Sequence, residues 1–115
     1  MTRENLKEVL NKHAQWLAKK EEGETADLSG EDLRDVDLSY TNLFMANFCD
    51  TNMRGAKFFC TDLRSANLRG ADLRDADLVD ADLRRTDLTG AKMYKYDSYG
   101  ASLTQKQRNS IIICD

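Results

Sequence analysis

A period of five residues governs this chain. From Ala66 to Arg84 it reads small residue, Asp or Asn, Leu and two variable residues, over and over. The register extends from Ala26 to Gln105, sixteen units, with no residue inserted or deleted. Five matches neither the 3.6-residue turn of a helix nor the two-residue alternation of a strand. Each unit offers two inward positions, one small and one large, so the chain must turn a corner in every unit. Self-similarity at a short fixed period means a solenoid. The large positions are Leu28, Leu33, Leu38, Leu43, Phe48, Met53, Phe58, Leu63, Leu68, Leu73, Leu78, Leu83, Leu88, Met93, Ser98 and Leu103, apolar in all but Ser98. The absence of proline suits a body of continuous backbone ladders.

The units resemble the pentapeptide repeat family, whose motif is Ala-(Asp/Asn)-Leu-X-X. The resemblance covers residues 26–105 and implies an all-β solenoid, a right-handed quadrilateral β-helix with four units per coil and about four coils. Residues twenty apart would then stack at about 4.8 Å. Leu43, Leu63, Leu83 and Leu103 form one inward column on that arrangement, and Leu38, Phe58, Leu78 and Ser98 another. Leu68 and Leu73 complete the central core, and Phe48 and Phe58 should meet across the second coil. Lys57 would lie between Asp37 and Asp77, and Lys92 beside Asp72, each cation relieving an acidic column. Arg34, Arg54 and Arg74 would form an outward ladder ending in Tyr94. Glu31, Tyr96 and Ser98 break the pattern at inward positions, which predicts distorted end coils.

Outside the repeats the chain reads as helical at both ends. Residues 1–25 give an N-terminal helix and connector. Leu6, Val9, Leu10, His13, Trp16 and Leu17 share one stripe from Arg3 to about Lys20, with Thr2 at the start and Lys19 and Lys20 in the last turn. An open solenoid end exposes core and unpaired edges. Leu6, Val9, Leu10, Trp16 and Leu17 are therefore the candidate cap, with Trp16 against Leu28, Leu33 or Leu38. At the other end, residues 106–115 form a capping or dimerisation segment. Thr104 and Gln107 fit a capping box and open a short C-terminal helix. Ile111, Ile112 and Ile113 follow and are too apolar to lie in water unpartnered. Together with Tyr94, Tyr96 and Tyr99 they make a candidate homodimer interface about a two-fold axis.

Little in the sequence suggests chemistry. His13, the only histidine, lies within the apolar stripe and reads as structural. No nucleophile and base are fixed by spacing. Cys49, Cys60 and Cys114 match no zinc pattern, so no catalytic, cofactor or metal residue is assigned. Cys49 and Cys60 fall on opposite walls and should not pair. An odd thiol count without CxxC spacing and no apolar run of signal-peptide or membrane-spanning length point to the cytoplasm. A net charge of −3 indicates neither nucleic acid nor membrane as partner.

Two functional readings follow. One is a non-enzymatic scaffold or protein–protein interaction module, with Tyr40, Phe44, Met45, Phe59 and Tyr99 as a candidate sticky surface. The other comes from the family resemblance. Some members mimic duplex DNA, bind DNA gyrase and confer fluoroquinolone resistance. That activity requires carboxylates in place of phosphates. Residues 26–105 hold fourteen acidic and ten basic side chains, a weak field for a mimic, and no loop interrupts the repeats. The row Asp27, Asp32, Asp37, Asp62, Asp72, Asp77, Asp82 and Asp87 is accordingly read as a structural motif rather than a calcium or phosphate-like surface.

Overall fold

A computed structural model describes all 115 residues, Met1–Asp115. In chain order the elements are α1 (Arg3–Leu17), the repeat body, β1 (Lys92–Tyr94), α2 (Lys95–Gly100), α3 (Gln105–Ser110) and β2 (Ile112–Cys114). The repeat body is made of single-residue parallel bridges at a spacing of twenty, from Asp27↔Asn47 to Asp72↔Lys92. The coil therefore contains four five-residue units. Each wall is too short to be a strand of its own, and it is held by paired backbone bonds such as Leu28 N–H to Asn47 C=O at 2.8 Å and Asn47 N–H to Ala26 C=O at 2.9 Å. Lys57 bridges between Asp37 and Asp77.

The corner after each wall is a β-turn. The central residue's carbonyl accepts the N–H three residues on, as in Ala46 to Leu43 at 2.9 Å. The third residue of this turn has positive φ in every unit from Gly30 to Gly90, between 56° and 72°. Positive φ at that position defines the type II turn, which favours glycine. Four of these thirteen positions are glycine, and the other nine accept the strain of a side chain in the left-handed region.

The Asp/Asn position explains itself at the same corner. In twelve units its side-chain oxygen accepts the backbone N–H two residues on, at 3.0–3.3 Å. This local bond is the reason Asp and Asn favour turns. Through Met93 only Lys57 and Lys92 forgo it. Thr61 and Thr86, at the small inward position, each donate a buried hydroxyl to a central carbonyl of the preceding coil, Leu38 and Leu63. A polar side chain is thereby buried with its bond made.

The ends depart from the sequence reading. The first coil is not distorted at Glu31. Asp32↔Asn52 pairs normally, and the Glu31 carboxylate swings out to the amino terminus at 3.5 Å. The last coil is replaced. Tyr96 is too large for the inward position and turns outward to stack on Tyr94, with ring centroids 5.5 Å apart. Asp97 leaves the ladder and accepts the N–H groups of Asp75 and Tyr94 at 2.8 and 3.2 Å. The chain winds into α2 instead, so fourteen units, ending at Met93, keep the repeat geometry. Chain length is nonetheless conserved. Lys92 pairs with Ile112, again twenty residues on, and β2 lies parallel to β1. Ile112 and Ile113 thus belong to a strand rather than to the C-terminal helix, Ile111 caps that helix, and Leu103 is only half-buried. α1 also ends earlier than expected, leaving Lys19 and Lys20 beyond its last turn. Gly23 lets the connector fold back, since a Cβ there would lie 2.2 Å from the Trp16 backbone nitrogen.

Candidate functional site

The interior is filled and apolar. Leu43, Phe48, Phe58, Leu63, Leu68 and Leu73 are fully buried, and Leu78 and Leu83 nearly so. The Phe48 and Phe58 rings meet edge to face at 6.3 Å and 86°. No three His, Cys, Asp or Glu side chains converge as ligands would. What the molecule offers to other molecules therefore lies on its walls and at its ends.

At the N-terminal end Leu6, Val9 and Leu10 pack on the core. His13 is 1% exposed, and its Nδ1 accepts the Ala26 N–H at 2.9 Å. That bond fixes the neutral ring with the proton on Nε2, which is buried without a hydrogen-bond partner. Burial lowers the His13 pKa, and the neighbouring Phe44 backbone opposes the shift only in part. Trp16 does not reach Leu28, Leu33 or Leu38. Leu6, Val9 and Leu10 occupy that surface, and Trp16, further along the stripe, passes the rim and stacks on Phe44 with centroids 6.4 Å apart. Leu17 is half-buried beside it.

The outer walls are laced with ion pairs. Arg34, Arg64, Arg74 and Arg84 each clasp the Asp two residues before, at 2.6–2.7 Å. The charge-assisted bond from Arg84 lowers the Asp82 pKa to about 2. Arg54 donates to the Tyr94 hydroxyl at 3.3 Å. The acidic column is thus engaged by its own backbone and by arginine. Tyr40, 74% exposed, meets Phe59 edge-on at 5.5 Å, and Met45 is half-exposed.

At the C-terminal end Gln107 closes the solenoid. Its buried amide donates to the carbonyls of Leu83 and Thr86 at 2.8 and 3.1 Å, doing for Leu83 what the Thr86 hydroxyl does for Leu63 one coil earlier. The sequence marks Gln107 only as half of a capping box; its second role depends on the coil register. Ile111 packs on the core, whereas Ile112 and Ile113 are 49% and 44% exposed. β2 has β1 on one side and no strand on the other. Tyr96 and Tyr99 are 61% and 69% exposed. The Tyr96 hydroxyl bonds to Asp75, which raises its pKa to about 12. The three cysteines are unpaired.

A repeat of five, a coil of twenty and an Asx-turn at most corners define a pentapeptide repeat β-helix. The family model for pentapeptide repeats matches residues 25–55 and 56–93 in eight copies, and the chain belongs to this family. Among solved structures it is similar to a pentapeptide repeat protein of the cyanobacterium Cyanothece 51142, with 33% identity and a TM-score of 0.61 over 63% of this chain and 49% of that one. It is also similar to a pentapeptide repeat protein of the Arabidopsis thaliana thylakoid lumen, with 33% identity and a TM-score of 0.60 over 76% of this chain and 54% of that one. The chain thus spans about half the length of these two proteins. No curated protein sequence matches it.

Proposed function

We propose that the protein is a non-catalytic interaction module that pairs with a second copy of itself through its C-terminal end. The observation that carries this reading is the open outer edge of β2, with Ile112 and Ile113 about half exposed on it. Unpaired edges bearing apolar residues recruit another strand. A two-fold axis at this edge sets two copies of β2 antiparallel and covers both sets of isoleucines. Tyr96 and Tyr99 supply amphipathic rings of the kind enriched at interfaces. On this reading α1 is the cap of the opposite end, and the pentapeptide walls are left for partners. The protein works in the cytoplasm, where its three thiols stay reduced. The DNA-mimic alternative has less support, because the carboxylates of the Asp/Asn row are occupied by turn N–H groups and several by arginine, leaving only scattered wall carboxylates such as Asp35, Asp50 and Asp80 outside these bonds; inhibition of gyrase supercoiling at low micromolar protein would favour it.

Light scattering tests the pairing. The parent should be a dimer at tens of micromolar, and Ile112→Asp should weaken it toward monomer by placing a charge in the buried edge. A monomeric parent overturns the reading.

A further inference from the structure

A cleft of about 390 Å³ lies where the end of α1 crosses the solenoid wall, within the size range of ligand clefts. Trp16, Leu17 and Phe44 supply its apolar surface, and Lys19, Asn42 and Arg64 its polar one. Trp16 is held by ring contacts to His13, at 5.5 Å, and to Phe44, at 6.4 Å. The Arg64 guanidinium carbon stands 5.3 Å from the Phe44 ring centroid.

The polar groups are unbalanced. The Asn42 carbonyl oxygen already accepts the Phe44 N–H at 3.0 Å. The adjacent Asp62 carboxylate is taken by Arg64, through Nε at 2.9 Å and Nη2 at 2.7 Å. The side-chain hydrogen-bonding capacity left in the cleft is chiefly donor, from the Lys19 ammonium, Arg64 Nη1, the Asn42 amide and the Trp16 indole N–H, against one remaining lone pair on the Asn42 oxygen. Asp62 at 2.7 Å and Asp82 at 3.9 Å offset the Arg64 charge, while Lys19 has no carboxylate partner and is the cleft's uncompensated cation. A site with apolar walls and an excess of donors complements a group that is apolar on one side and anionic on the other.

We propose that this cleft binds an acidic side chain flanked by an apolar one on a partner protein. The carboxylate meets Lys19, Arg64 and Asn42, and the apolar neighbour lies on Trp16, Leu17 and Phe44. The assignment rests on the reading of the protein as an interaction module, but not on its pairing, since the cleft is at the opposite end from β2.

Trp16 is the only tryptophan and forms the floor, so its emission reports occupancy directly. The probe is N-acetyl-Phe-Glu-Leu-amide, with N-acetyl-Phe-Gln-Leu-amide as the uncharged control. The glutamate peptide should give a saturable change in emission. The control peptide, and the glutamate peptide on Lys19→Gln, should bind about tenfold more weakly, the scale of one lost charge contact. Ile112→Asp should bind like the parent, so a failed dimer and a failed cleft are separate results. The proposal is overturned by no saturable change up to about 10 mM peptide, by equal binding of the two peptides, or by a Lys19→Gln protein that binds as the parent does.

Discussion

Truncating Phe48 and Phe58 tests the interior most sharply. Both rings are 0% exposed, and they meet edge to face in the second coil. Replacing either by alanine removes a large buried ring and leaves a cavity that a coil pinned by ladder bonds on both sides cannot collapse, so each single change should cost about 3–5 kcal/mol. An edge-to-face pair contributes about 0.5–1.5 kcal/mol beyond burial, and the first truncation already forfeits it. The double variant should therefore lose that much less than the sum of the singles. Urea denaturation followed by circular dichroism gives the four stabilities, and Trp16 fluorescence checks that the end of the solenoid unfolds with the middle. The two costs together approach the whole stability of a domain, about 5–15 kcal/mol. If the double alanine variant does not fold, a Phe→Leu cycle runs the same test at lower cost. Strictly additive losses would refute the reasoning, because rings that touch as these do must couple.

Acid should loosen α1 before it affects the walls. Because the folded His13 pKa lies below its ordinary 6.5, the folded state binds fewer protons than the unfolded one. Its contribution is complete above pH 6.5 and is lost as pH falls through the lowered value, so the urea midpoint should drop across that window in the parent and stay flat in His13→Gln. A flat parent profile contradicts the buried neutral ring. The ladder aspartates respond only at lower pH. Their folded pKa values are depressed, so they stabilise above the ordinary 3.8 and release that stability as pH falls toward the Asp82 value of about 2. Glycine substitutions separate strain from contact. Gly30→Ala, with open space at its Cβ, should cost only the left-handed strain, about 1–2 kcal/mol. Gly70→Ala should cost more, because its Cβ would stand 2.2 Å from the Asp50 carboxylate; thermal melts that rank the two equally would show that this contact is not rigid.

The repeat was legible because its period is a property of many residues at once. The period of five shows that the chain turns at each unit, and the family resemblance supplies the coil of twenty that the bridges display. The turn type carried a signal that the repeat pattern overshadowed. Gly30, Gly55, Gly70 and Gly90 share one phase of the repeat, but nine side chains at the same phase mask their meaning. α2 lies where the units Tyr96 to Gly100 still count in fives, and six residues are too few to show a helical period. Its cause is local: a ring too large for the core and an Asp that found two N–H groups outside the ladder. Glu31 misled in the opposite direction, because an end coil leaves room for its carboxylate to turn out. The three isoleucines looked like an apolar helix end only when the twenty-residue spacing from Lys92 was not applied to them. The cleft beside Trp16 depends on where α1 crosses the wall, and no local pattern encodes that crossing.

A pair of insertions tests the twenty-residue coil most directly. One alanine placed between Gly70 and Ala71 moves every later inward residue off its column, whereas a second copy of residues 51–70 placed at the same point adds one whole coil and leaves every column intact. The melting temperature should collapse in the first protein and be kept or raised in the second. Retention after the single alanine, or collapse after the twenty-residue copy, would contradict the coil on which every site described depends.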